Sequence, residues 1–287
     1  MASDITLSAG MRSNLLSLQN INKLMDRTQE RLSTGLKVNS AIDNPSSYYT
    51  AQSLNNRAND LESLLDSMGQ AVQTIQAANE GIESITSFLE QAKSVANQIM
   101  EKKSADLTAV VTSEVTQYNS IMEQITTLAG DASYKGINLL KTGGALTVTF
   151  NEGRTSSLTV TGFDASAEGL LSGTAVGTTT ANILTAETVD DKYTTAEITT
   201  LISGIDGAIS TLRSRASELG NAYSILETRQ NFTENLVNVL TQGADNLTLA
   251  DMNEESANML ALQTQQSLAI NSLSLASQAA QSVLRLF

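Results

Sequence analysis

Asp190 with Asp191, and Glu254 with Glu255, stand side by side in the sequence, and two carboxyl groups acting together are what acid–base hydrolysis of a glycosidic bond requires. Neighbours on a helix point about 100° apart, so such a pair does not converge on one bond. "DMNEE", residues 251–255, begins like a calcium loop but lacks the required glycine and the distal glutamate, and it reads better as an acid-rich helix N-terminus. No histidine and no cysteine occur in the 287 residues, which removes imidazole proton shuttles, Ser–His dyads, thiol nucleophiles and most zinc sites. None of the eight lysines has a serine three residues before it, and no phosphate-binding glycine loop is present. "NFT" at 231 and "NLT" at 246 match the glycosylation triplet within helical pattern and are read as chance. The expectation is no catalytic, metal-binding or cofactor-binding residue, hence no enzyme and no cofactor.

With acidic residues at 30 against 17 basic ones, the net charge of −13 disfavours nucleic acid and anionic membrane surfaces, both of which need basic contact. The N-terminus has no basic stretch followed by an apolar run, so no general secretory signal is read, and no apolar run is long enough to span a bilayer. Aromatic residues make up only 4% of the chain, which leaves Ala, Leu, Ile, Ser, Thr, Asn and Gln to build it.

Those residues fall in heptads. Leu54, Leu61, Met68, Ile75, Ile82, Leu89 and Ala96 recur every seven positions, with Leu64, Ala71, Ala78, Ile85, Ala92 and Ile99 three places on. This is a coiled-coil seam, on the order of 70 Å long at 1.5 Å per residue. Met11, Leu18, Met25 and Leu32, widened by Leu15 and Ile21, predict a helix upstream. Ile198 to Leu226 and Met252 to Phe287 predict two long helices downstream, and Leu107 to Ile125 a shorter one. Gly35 suits the left-handed end of the first helix; Asn44 before the sole proline, Pro45, suits a cap followed by the first helical residue. Residues 35–45 thus form a connector or hinge.

Seven of the 17 glycines fall between Lys141 and Tyr193, and "LTVTF" (146–150) and "LTV" (158–160) predict a β-hairpin around "NEGRTSS". The predicted fold is mainly α, an elongated antiparallel helical bundle or coiled coil with a small β-rich tip at one end. Its domains are 1–40 with 250–287 as a terminal coiled coil, 41–140 with 194–249 as a helical rod, and 141–193 as the tip. From Asn253 onward the charged residues are Glu254, Glu255 and Arg285 alone, so the last helix is built to be covered on more than one side.

Several separated stretches resemble one family. "NLLSLQNINKLMDRTQERLSTGLKVNSAIDN" (14–44) is similar to the N-terminal signature of bacterial flagellins, and "LRSRASELGNAYSILETRQNFTENL" (212–236) and the stretch from Asp251 to Phe287 are similar to their C-terminal one. The resemblance implies a subunit that polymerises into the extracellular flagellar filament for motility. It also implies export through the flagellar type III channel and, as partners, further copies of itself, an export chaperone, the filament cap and hook-junction proteins. The expected subunit interface is Met11, Leu15, Leu18, Ile21, Met25 and Leu32, with Met259, Leu262, Leu273, Val283 and Leu284. In the segment that resembles the Toll-like-receptor-binding pattern, Glu90, Gln91, Lys93 and Val95, Gln91 stands in the place of an arginine and Val95 of a leucine, which implies weak or no receptor recognition. The alternative within the same apparatus is the hook–filament junction protein. A carboxylate hydrolase housed in the tip is the alternative of another class, and about fifty Thr/Gly-rich residues are few for an active site.

Overall fold

The computed structural model describes residues 9–104, 111–172, 175–176, 179–180, 184 and 194–284, with the side chains of some residues in these ranges left aside. Its order is α1 (Ala9–Thr34), α2 (Pro45–Ser104), α3 (Val111–Asp131), β1 (Ala145–Thr149), β2 (Ser157–Thr161), α4 (Ala167–Leu170), β3 (Ala175–Val176), β4 (Thr179–Thr180), α5 (Thr195–Thr248) and α6 (Met252–Leu284). The chain is 79% helical, with its main β-structure in one two-stranded sheet, in agreement with the mainly α reading. Two compact units divide it: Met1–Ala58 with Asn238–Phe287, and Asn59–Val237.

The second unit is where the heptads are spent. Leu61, Met68, Ile75, Ile82, Leu89 and Ala96 on α2 are all buried, as are Ile198, Ile205, Leu212, Leu219 and Leu226 on α5. The helices run antiparallel in constant register. Lys93 Nζ donates to Asp206 Oδ1 at 2.5 Å, Thr199 Oγ1 contacts Met100 Sδ at 3.8 Å, and Ile75 to Glu80 share a small cavity with Leu219 to Tyr223. A seam with period seven hides one stripe of each helix along its length, which is why alanines alternate with larger residues there. Helix α3 adds Val115, Tyr118, Met122 and Ile125 to the same core, and burial pushes the Tyr118 phenol well above its usual pKa. Leu107, predicted to begin α3, lies outside the described residues.

The hairpin forms where the threonine alternation placed it, with Leu146 opposite Val160 and Val148 opposite Leu158. Its position differs from the expected end of the rod. Leu146, Thr147, Val148 and Thr149 border Leu64 to Thr74 of α2, and Leu158 to Phe163 border Arg215 to Ile225 of α5. The reason is α3: the chain spends 21 residues returning along the bundle before the strands begin. Asn138 closes that return, its Nδ2 donating to the free carbonyls of Ala129 (2.8 Å) and Gly130 (3.0 Å). The Arg229 guanidinium then lies 5.1 Å from the Phe150 ring centre, and that of Arg215 5.4 Å from Phe163, clasping both ends of the hairpin to α5.

The first unit holds α1, α6, the start of α2 and the end of α5. It reaches further into the chain than residues 40 and 250 because Val38, Ala51, Leu240 and Ala244 are buried within it.

Leu89, fully buried in the α2 seam, tests this packing. Leu89→Ala should cost about 2–5 kcal/mol in urea unfolding of the monomer, and Val239→Ala at an exposed position of α5 less than about 0.5 kcal/mol.

Candidate self-assembly surface

Helices α1 and α6 pair antiparallel. Asn14 Nδ2 donates to Ser272 Oγ (3.3 Å), Gln266 Nε2 to Asn22 Oδ1 (2.8 Å) and Arg31 Nη1 to Glu255 Oε1 (2.8 Å), each step up one helix being a step down the other. Glu255 is only 6% exposed and Arg31 supplies its counter-charge. A carboxylate out of water is tolerable only with such a partner.

Local chemistry sets the ends of the pair. Gly35 takes φ 73°, which ends α1 without Cβ strain, and its N–H donates to the Arg31 carbonyl at 2.8 Å. At the start of α6, Asp251 Oδ1 accepts from the N–H groups of Asn253 (2.8 Å) and Glu254 (3.3 Å). The two connectors are then tied to each other: the N–H groups of Lys37 and Val38 donate to the Thr248 carbonyl, and that of Ala250 to Gly35. Asp43 folds the connector back on itself, accepting from Ser40 N (3.0 Å), Ser40 Oγ (3.1 Å) and Asn39 N (3.2 Å). The Ser40 N–H bond, foremost among these, holds its carboxyl below the ordinary carboxylate value. Asn44 Oδ1 accepts from Ser47 N at 3.2 Å and Pro45 opens α2.

Of the residues named from sequence, Ile21 is buried in the pair. Met11, Leu18, Met25, Leu32, Met259, Leu262 and Leu273 are half-buried, and Leu15 is exposed. These residues line the seam between α1 and α6 of one chain, so much of their surface is already covered intramolecularly. The side chains of Val283 and Leu284 lie outside the described residues. Met252, counted on the seam by spacing, is exposed at the first residue of α6.

The larger uncovered apolar surface belongs to residues that the seam count passes over. Leu16, Leu24, Leu260, Leu268, Ile270 and Leu275 are all exposed, with Leu260, Leu268 and Leu275 at 68%, 63% and 66%. Leu268 and Leu275 are themselves one heptad apart on the outer side of α6. The available signal was this second row, on a helix with no charge between Glu255 and Arg285. Each such leucine has roughly 1–2 kcal/mol of transfer free energy still to gain by burial. Among the described residues, none of α1 or α6 belongs to the large core of the other unit.

The remaining predicted residues lie on α2. Glu90 and Gln91 are exposed, Lys93 is half-buried with its ammonium on Asp206, and Val95 is buried, so the four do not form one accessible patch.

Comparison with known proteins shows what kind of molecule leaves its terminal helices this way. The bacterial flagellin N-terminal helical region matches residues 7–144 and the bacterial flagellin C-terminal helical region residues 202–287. Flagellin FljK of Caulobacter vibrioides is 30% identical over 283 residues, covering 99% of this chain and 98% of that protein. The chain belongs to the bacterial flagellin family. A flagellin of Brucella melitensis biotype 1 is 30% identical over 303 residues, covering 100% of this chain and 99% of its own length. Flagellin C of Rhizobium meliloti is 28% identical over 326 residues, with 100% and 99% covered. Flagellins are structural proteins of the extracellular flagellar filament. Among the described residues of this flagellin, no helix is long and apolar enough to cross a membrane.

Arg31→Ala strands the Glu255 carboxylate. It should cost about 1.5–3 kcal/mol in the stability of the α1/α6 pair, read by thermal melting of helical circular dichroism, and Glu255→Gln should recover part of that loss in the Arg31→Ala background.

Proposed function

We infer that this flagellin works as a subunit of the flagellar filament, with the outer apolar rows of α1 and α6 as the surface that successive copies cover for one another. The observation that carries it is the exposure of Leu260, Leu268 and Leu275 on a helix that bears no charge along that stretch. A head-to-tail contact between two different patches, repeated with a rotation that does not close, gives an open helical polymer. A chain with net charge −13 associates with itself most readily where charge is absent, and the α6 face is such a place. Family membership over nearly the whole chain supports the filament reading, and nothing favours the hook–filament junction alternative.

In this account residues 1–40 and 250–287 are the filament-core domain, 41–140 with 194–249 the rod, and 141–193 the variable segment. The proposed interface is the outer leucines with the exposed Leu15 and the half-buried seam residues Met11, Leu18, Met25, Leu32, Met259, Leu262 and Leu273, while Ile21, buried in the seam, backs them from inside. Apolar association does the work and no bond chemistry is required, so the protein is not an enzyme. Passage through the flagellar type III channel, capture by an export chaperone and contact with cap and hook-junction proteins follow from the family resemblance. The burial of Val95 and the occupation of Lys93 by Asp206 support weak or no recognition by the vertebrate Toll-like receptor.

The test is seeded elongation. Leu268→Ser combined with Leu275→Ser should leave the monomer's helical content and urea midpoint unchanged, since both side chains are exposed, and should abolish growth from sheared filament followed by light scattering and electron microscopy. Filaments of normal length from the double variant would refute the assignment of this surface.

A further inference from the structure

Among the described residues, left-handed backbone outside glycine occurs at Lys135 (φ 49°) and Arg154 (φ 53°). They lie far apart in sequence, one in the turn after α3 and the other in the hairpin turn, yet both line the same groove of about 400 Å³ between β1 and α2. Ser67, Gln70 and Thr74 of α2 form one wall and Thr147 and Thr149 of β1 the other, and no carboxylate lines the groove. Both side chains are exposed, and neither has an ion-pair partner among the described residues.

Glycine or asparagine would take these two turn positions with little strain, and a long cationic side chain takes them at a cost. Strain kept at two positions that converge on one cavity points to a use for the side chains. A basic groove free of acids is also an anomaly in a chain with 30 acidic residues against 17 basic ones. Its complement is abundant on the chain's own exterior, and copies that each carry −13 must meet somewhere with charges of opposite sign.

We propose that the Lys135/Arg154 groove receives a carboxylate-bearing surface of a second copy of this chain, an electrostatic contact between subunits separate from the apolar one made by α1 and α6. The inference rests on the filament reading. Carboxylates entering the groove meet a lysine and an arginine side chain, with serine and threonine hydroxyls in the walls to complete their hydrogen bonds. Contacts of this type set orientation and association rate more than total affinity, and they weaken with salt.

The experiment compares wild type with Lys135→Asn/Arg154→Asn in seeded elongation from low to high salt, with urea unfolding of both monomers alongside. Asparagine accepts the left-handed turn, so the double variant should be as stable as wild type or more so. Its critical concentration should nevertheless rise by up to about fivefold for each exposed ion pair lost, and its salt dependence should flatten. Lys141→Asn, an exposed cation outside the groove, should elongate as wild type does. A double variant with wild-type critical concentration and salt response overturns the proposal. So does a groove that binds sulfate, seen as sulfate-dependent stabilisation lost in the double variant, while elongation is unchanged. Wild-type monomer that fails to elongate from its own seeds removes the filament reading and this contact with it; wild type that elongates alongside an unaffected variant removes only the contact.

Discussion

Two helices packed alone can hide only the stripe that each turns toward the other. That geometric limit governs the terminal part of this flagellin. The α1/α6 seam uses up the stripe that contains Leu18, Ile21 and Leu262, and a second row at Leu268 and Leu275 stays exposed among the described residues. Buried polar bonding compensates for the thin seam: Arg31 with Glu255, Gln266 with Asn22 and the tied connectors hold the pair in register where apolar contact alone is sparse. Register held by polar groups while apolar surface stays open suits a subunit whose final cover comes from assembly.

The unit Asn59–Val237 solves the same problem within one chain. There α2 and α5 are flanked by α3 on part of their length and by the hairpin on another, so a third and fourth layer absorb the stripes that a helix pair would leave bare. Tyr118, Met122 and Ile125 close one side; Leu146, Val148 and Phe150 close another. Exposed apolar residues persist on α5 at Ile225 and Phe232, but the main seam is sealed. The contrast between a sealed unit and an open pair is what separates a stable monomeric body from an adhesive end.

Much of this was legible in the sequence because it depends on local period. The α2 seam from Leu61 to Ile99 is buried at every position but the half-buried Leu64, and threonine alternation marked both strands within a residue or so of their ends. What depends on distant contact was not legible. The hairpin's seat on the side of α2 and α5 comes from Arg229 against Phe150 and Arg215 against Phe163, pairs that no local pattern announces. Glu255 reads in sequence as one acid of a helix N-terminus, and only its partner 224 residues away explains why it can be buried. The outward leucines were hidden by the seam itself: counting every seventh residue from Met252 ranks Leu268 and Leu275 as off-pattern, although they form a row of their own. Nor does any sequence rule bring Lys135 and Arg154 to one groove.

Hydrogen exchange on dilute monomer and on assembled filament measures the central claim directly. Amides of 9–34 and 252–284 should exchange orders of magnitude faster in the monomer than in the filament, with those of 61–99 and 198–226 protected in both. Equal, strong protection of the terminal helices in the dilute monomer would mean that one chain already seals them, and would contradict the account.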